Sequence, residues 1–591
     1  MVALINSRLL GTFALLITIF FLNIPTYAQY GGGTGEPNDP YLIYTPEQMN
    51  EIGLHEEDWD KQFKLIADID LSAYKGSAFN IIGTLGTRTT PTKPFAGVFD
   101  GNGHLISNFT YTAEREGNIG LFREIGGPNA EIRNLGLFDP YIDSEAGQGV
   151  ATLAGHLRGT VRNCFVEGGR VRGGKDVGGL VGNNNGSITE SYNTAMIDGG
   201  EYVGGLVGNN SGSINASYNT ATIDGDEYVG GLVGSSYSGS ITASYNTAMI
   251  SGNDYVGGLV GSNSNGSNIT TSYNAGAVTG NEHIGGLVGD NKQHGVIMNC
   301  YSCGSVEGVS AIGGLVGHND NKITNSYSST SVTGQQDVGG LVGRNVAASI
   351  GDAITNCYST GIVDGEVNVG GLVGFNLWPE RVTRSFWDVQ ISGQEHSAGG
   401  EGKTTTQMQT AVTFLAWAAS DNEGTWTIDE GNDYPRLWWE GTPGTTIEPA
   451  RLAGTGTEDD PYLIYTVHDL SSIGLLSSEW DKHFKLMADI DLSVHTGTTF
   501  NIIQSFSGIF DGNGHVVSNL TYTLQEFKYP DFNEPFFPNV SHVGLFGNVG
   551  GLNAEIKNLG LVNPNVSVGT GDYVGALAGY VGGIGGSFRS S

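Results

Sequence analysis

The chain has 591 residues, 94 of them glycine, and sets 60 Asp and Glu against 27 Lys and Arg for a formal net charge of −33. So much glycine without a Gly-X-Y period excludes collagen and points to a turn-rich repeat fold. The excess of acid argues against nucleic acid or an anionic membrane surface as partner, because both repel it.

Residues 1–28 read as a signal peptide. Arg8 supplies the positive start, "LLGTFALLITIFFLNI" the apolar core and "TYA" the small residues before cleavage near Gln29. The apolar core is shorter than the ~20 residues a membrane span needs. No later segment is long enough to cross, so no membrane span is expected once the signal is removed, and the destination is secreted or cell-surface.

Residues 29–150 form a lead-in module. It predicts one short helix, with Thr45 as N-cap, Pro46 at the first position and Gln48 closing a capping box before "MNEIGL". Its signatures "DPYLIYT" at Asp39, "WDKQFKLIADIDLS" at Trp59, "FAGVFDGNGH" at Phe95 and "AEIRNLGL" at Ala130 return near the C-terminus at Asp460, Trp480, Phe506 and Ala554. An amphipathic cap over an open end of stacked coils is the economical role, because repeat arrays need atypical ends.

Residues 151–376 are the array. Gly-Gly-Leu-Val-Gly begins at Gly178, Gly204, Gly230, Gly257, Gly285, Gly313, Gly339 and Gly370, mostly 26 to 28 residues apart. Other rows keep the same period: an Asn row from Asn184 and Asn210 to Asn376, an aliphatic row from Ile188, and an aromatic row from Tyr192 and Tyr218 to Phe386. The pieces between Asn, Ser, Gly and Asp clusters are short and strand-like, with no 3.6-residue period. Such a unit cannot bury its apolar rows alone but can when stacked on copies of itself. The fold class is therefore all-β: a parallel β-solenoid, right-handed β-helix-like, of about 26–28-residue coils with short capping helices. Eight coils about 4.8 Å apart would make a rod roughly 40 Å long. An Asn row can bond coil to coil as stacked Asn does in cross-β structures.

Cys164, Cys300 and Cys357 stand just before the aromatic row, where other coils have Ser, and read as small buried alternatives to it. Cys300 and Cys357 are two coils apart, about 10 Å and beyond disulfide reach. Residues 377–441 hold six of the eight Trp and a helix-like "TTTQMQTAVTFLAWA"; they are expected to cap the distal end of the rod. Residues 442–451 read as a linker. Residues 452–591 read as a second lead-in with the start of a second array, "DYVGALAGYVGG" at Asp572, so that the sequence resembles a truncated copy of a longer protein.

The recurring "VGGLVG" with its trailing Asn resembles the Glug motif of bacterial surface and secreted proteins, among them adhesins and streptococcal immunoglobulin A metallopeptidases. The "DPYLIYT … DGNGH" lead-in looks like the opening of right-handed parallel β-helix proteins, a class with adhesins and polysaccharide lyases. The resemblance implies architecture and no catalytic residue. The zinc-binding His-Glu-x-x-His helix of the peptidases has no counterpart here.

Three places invite a chemical reading. Stacked acids around Asp224, Asp226 and Glu227 are weak candidates for Ca²⁺, with a solvated face as the plainer role. His104 and His515 sit in "DGNGH", where Asp-Gly-Asn-Gly is a turn signal. Trp438 and Trp439 in "YPRLWWEG" are weak candidates for stacking on sugar rings, with a packed core as the plainer role. No catalytic or cofactor constellation emerges. The expectation is a non-catalytic adhesin or stalk that binds glycans or another cell surface; the alternative is a β-helix polysaccharide lyase or glycoside hydrolase, which would need paired carboxylates or a base beside metal-bound acids.

Overall fold

The computed structural model describes residues 30–85, 92–347, 351, 353–418, 424–524, 540–569, 571–582 and 587–589. The expected signal peptide lies outside them. The chain winds as a parallel β-solenoid of about 16 turns roughly 28 residues apart.

Three parallel sheets run along the axis of the first array. One holds Val181–Asn184, Val207–Asn210 and their counterparts up to Val373–Asn376. A second holds Ser187–Thr189 and Tyr192–Asn193 with their counterparts. The third holds Arg170–Gly178, Met196–Gly204 and Ile223–Gly230. Like lies on like: Val181 pairs with Val207, Ile188 with Ile214, Tyr192 with Tyr218 and Val203 with Val229. The coil repeat thus becomes vertical rows, and inward Leu180, Leu206, Leu232 and Leu259 are all fully buried. Burial of these rows on neighbouring coils is the main driving force, at about 25 cal/mol per Å² of apolar surface.

The glycines of the pentapeptide mark backbone-on-backbone contact. A Cβ on Gly258 would lie 2.1 Å from the Gly286 carbonyl oxygen of the next coil. The coils also turn at corners the sequence did not mark. Tyr202, Tyr228, Tyr255 and His283 have φ of 57°, 56°, 57° and 57°, and Ala216, Ala243 and Thr271 repeat the same left-handed conformation elsewhere in the coil. This conformation costs an L-residue roughly 1–2 kcal/mol and persists because the ladder on either side dictates it. The acidic stretch around Asp224 is strand in the first coils. There it lies within continuous strands, Met196–Gly204 and Ile223–Gly230, and only later splits into pairs such as Ile250–Ser251 and Asp254–Gly257.

The lead-in is the beginning of the same rod. Tyr41–Ile43 pairs with Gln62–Leu65, which pairs with Val98–Asp100, which pairs with Glu131–Phe138. One core runs unbroken from Tyr30 to Trp387. Helix Pro46–Ile52 carries the expected capping box and buries Met49 and Ile52. The second module repeats this order with Tyr462–Ile464, His483–Leu486, Ile509–Asp511 and Glu555–Lys557 around its own core.

The Trp-rich segment departs from expectation in two ways. It is not one helix: Thr405–Met408 is a single α-turn and Ala411–Ala418 is a 3-10 helix. Nor does it close only the rod's end. It packs Met408, Phe414, Trp417, Trp426 and Leu437 against Tyr327, Tyr358 and Phe386, and so covers a flank of the solenoid. The stretch 442–451 adds Thr445–Thr446, paired antiparallel with Trp426–Ile428, and the buried Ile447 to this unit.

Candidate functional site

The array's outward and corner rows are where chemistry would have to sit. The Asn row is buried and bonded from coil to coil, with a break between Ser236, which bonds Ser267 instead, and Asn263: Asn184 Nδ2 donates to Asn210 Oδ1 at 2.7 Å, Asn263 to Asn291, Asn291 to Asn319 and Asn319 to Asn345 each at 2.8 Å, and Asn345 to Asn376 at 2.9 Å. A second amide row, Asn193, Asn219, Asn246 and Asn274, does the same at 2.8–3.0 Å. Its signal was present in the repeated "SYN". Both rows are structural, since buried amides must find partners.

The aromatic row forms an outward ladder. Tyr192, Tyr218, Tyr245, Tyr273, Tyr301, Tyr327 and Tyr358 stack at centroid separations of 4.8–5.0 Å with planes within 11°. The Trp-rich flank covers its distal rungs. The Tyr358 hydroxyl donates to the Pro435 carbonyl at 2.5 Å and the Tyr327 hydroxyl to Glu440 at 2.9 Å. Trp439 lies 5.6 Å from Tyr301 and 6.3 Å from Tyr273, and its indole N–H donates to the Asn299 carbonyl. Trp439 is therefore part of the packing. Trp438, at 60% exposure, is the freer of the two sequence candidates.

A corner column holds the array's buried charges. Asp290 accepts from Lys292 at 2.6 Å and faces His318 at 2.9 Å. Burial raises its pKa, but His318 and Lys292 outweigh burial and hold the carboxyl below its usual range. His283, its ring tilted against that of His318 at 4.9 Å, is pushed down to about 4 by burial and by that neighbour. Asp337 binds Arg344 at 2.8 Å and Asn368 at 2.7 Å. Asp176, raised by burial, accepts from Gln148 and Asn183. These carboxylates sit on separate coils, each with its own partner, rather than as a pair flanking one point.

The calcium candidates lie on one strand, Ile223–Gly230. Asp224 accepts from the Ser251 hydroxyl at 2.7 Å, Asp226 from Asn253 at 3.4 Å, and Glu227 is exposed beside the Asp254 strand. Among the described residues no three His, Cys, Asp or Glu side chains converge as a metal site. His104 and His515 are each bonded to an aspartate, Asp68 and Asp489, at 3.0 Å, the same corner built twice. Cys164, Cys300 and Cys357 are buried free thiols, and burial pushes each up to about 12.

Comparison with known proteins agrees with the architecture. Residues 308–333, one complete coil, match the model of the GLUG motif. The chain is similar to halomucin of Haloquadratum walsbyi, at 33% identity over 172 residues, covering 28% of this chain and 2% of that protein. It is also similar to a protein of Evansella cellulosilytica named as a Gly-rich membrane protein, at 33% identity over 196 residues, covering 26% of this chain and 21% of that one. The chain thus spans a small part of the curated relatives it matches. A crystal structure described as an immunoglobulin A1 protease from Bacteroides ovatus overlays on 70% of this chain and 96% of its own, with 16% identity and a TM-score of 0.26, too loose an overlay to bear on function.

Proposed function

We propose that this GLUG-motif solenoid is an exported, cell-surface or secreted protein that acts as a rigid stalk and adhesive surface, holding glycans or another cell's surface without catalysis. The observation that supports it most is the continuous register of buried rows from Tyr30 to Trp387, which makes a stiff rod with long, regular outward faces. Similarity to halomucin and to a membrane protein favours a surface location. One fold hosts many functions, and here the site rows separate binding from catalysis. They are self-partnered and offer no acid pair poised about a scissile bond. Trp438 is this reading's candidate contact for sugar.

The test applies the whole chain to immobilised polysaccharides while assaying for released reducing ends and unsaturated sugars. Retention without turnover supports the adhesive reading; turnover would replace it with the lyase or hydrolase alternative. The reading needs no cofactor. Calcium at Asp224, Asp226 and Glu227 would add stiffness only, and a melting temperature that falls in chelator is its sign.

A further inference from the structure

We infer that the proximal part of the tyrosine ladder, on the four coils spanning residues 187–273 and open as far as the edge of Trp439 at Tyr273, is a binding strip for a neutral polysaccharide lying along the rod. The inference rests on the glycan reading above and names its site. On these coils the inward Ile188, Ile214, Ile241 and Ile269 alternate with outward Ser187 and Thr189, Ser213 and Asn215, Ser240 and Thr242, and Asn268 and Thr270. Tyr192, Tyr218, Tyr245 and Tyr273 continue the face beyond the corner. Every one of these outward side chains is a hydroxyl, an amide or a phenol, in a chain whose formal net charge is −33. Glu190, at the corner, is the one charged residue within the strip's first coil.

The strip has definite borders. On the preceding coil the same wall turns ionic, with Arg162 paired to Glu131 at 3.3 Å and Glu167 accepting from the Tyr192 hydroxyl at 2.7 Å. At the strip's last rung the Trp-rich flank begins, with Trp439 against Tyr273 and Tyr301. The flank shows how the ladder is used. Its 435–440 segment, a short strand and then a 3-10 turn, lies lengthwise along it, placing acceptors at the phenol hydroxyls of Tyr358 and Tyr327, the Arg436 guanidinium as a donor to Tyr327 and a flat ring beside Tyr301. The rungs at Tyr192, Tyr218 and Tyr245 continue that interface.

The charge of the strip selects the occupant. A cationic peptide would gain more on the acidic third wall, and an anionic polymer is repelled by the rod as a whole. An uncharged chain rich in hydroxyl groups matches a comb of hydroxyl, amide and phenol groups repeating at the ~4.8 Å coil spacing. Rings stacked face to face along the axis present edges and hydroxyls outward, so recognition is by hydrogen bonds along the comb with the ring edges as apolar ridge.

The experiment uses the full chain in affinity electrophoresis through gels containing hydroxyethyl cellulose, mannan, a soluble α-glucan or polygalacturonate. Asn215→Arg with Thr242→Arg, both outward-facing, disrupts the strip, and Trp438→Ala tests the other candidate; circular dichroism confirms that each variant folds. Expected is retardation by at least one neutral polymer, weakened at least tenfold by the double substitution and kept by Trp438→Ala. Retardation that the double variant keeps and Trp438→Ala loses overturns this strip while leaving the glycan reading intact. Retardation by polygalacturonate alone overturns the strip, and retardation by none of the polymers overturns both.

Discussion

Lys403 donates from its Nζ to the backbone carbonyl of Thr496 at 2.9 Å and to its hydroxyl at 2.7 Å, joining the flank of the first solenoid to the second module. The ammonium is fully buried and paired with Glu401, which also accepts from the Thr498 amide at 3.2 Å. Burial lowers the Lys403 pKa and Glu401 opposes that shift. Removing one partner of such a pair leaves the other charge buried, at a cost of about 3–5 kcal/mol, whereas replacing both with apolar groups is often close to neutral. Lys403→Ala is therefore expected to lower the denaturation midpoint strongly and to expose the junction to protease. Lys403→Met with Glu401→Leu recovers most of the loss. A Lys403→Ala protein as stable as the parent would show that the junction does not depend on this contact.

The buried amide row makes a graded prediction. Asn291 donates to Asn319 and accepts from Asn263, both at 2.8 Å. Asn291→Leu removes one hydrogen bond from each neighbour, leaving Asn263 Nδ2 only the Ser267 carbonyl at 3.4 Å and Asn319 Oδ1 only the Asn321 amide at 3.3 Å, at about 0.5–1.5 kcal/mol each. Asn291→Ser costs less, because Ser236 already fills that row and accepts from Asn210 at 3.2 Å. Chemical denaturation of the two variants checks the order; a serine variant as damaged as the leucine one would remove the hydrogen-bond explanation.

Much of this was legible in the sequence because a solenoid converts period into position. The rows at Leu180, Asn184, Ile188 and Tyr192 needed only alignment of the copies, and the capping box at Thr45 is local chemistry. The left-handed corners were not legible, since Tyr202, Tyr228 and Ala216 are not residue types that signal positive φ; the neighbouring ladder imposes it. The flank was misplaced for a related reason. Trp417 and Trp426 show that the 377–441 segment needs an apolar partner, but their surface is the distal rungs at Tyr327 and Tyr358, a tertiary choice no local pattern records. Trp439, one of the two sugar-stacking candidates, is packed against the same ladder.

The thiols test burial directly. Cys164, Cys300 and Cys357 have burial-raised pKa values of about 12, so almost no thiolate exists at neutral pH; burial raises the Cys303 thiol too, but that side chain is only partly buried and so within a reagent's reach. The native protein should label once with a thiol reagent, at Cys303, and fully only in denaturant. Mass spectrometry after brief labelling reads the count, and fast modification at Cys300 would contradict the stacked-coil interior.

Close backbone approach can be probed with one methyl group. Gly258→Ala places a Cβ against the Gly286 carbonyl, which the ladder holds on both sides, so the coil must separate locally. The expected result is a large loss of stability or of soluble protein. Gly266 has φ of 79° and open space around it, so Gly266→Asn keeps a residue that tolerates that conformation and should cost little. Equal effects at the two positions would mean that the pentapeptide glycines serve turning rather than packing.

His495 makes the second module sensitive to acid. Its Nε2 lies 2.6 Å from the Ser471 hydroxyl and its ring meets Phe500 edge-on at 5.5 Å. Burial, and secondarily the Lys403 charge, push its pKa down to about 3. The folded protein thus keeps the ring neutral where the unfolded chain protonates it below about 6.5. The unfolded state binds the extra proton, so stability falls as pH drops from about 6.5 towards 3 and this contribution then levels off. At roughly 1.36 kcal/mol per pKa unit the loss is on the order of several kcal/mol. His495→Gln removes the titrating group, so the gap between the two proteins in unfolding free energy should shrink or reverse between pH 7 and pH 4. Parallel pH profiles for the two proteins would mean that the ring is free to take a proton in the fold, and that the packing of Ser471 and Phe500 around it is looser than described.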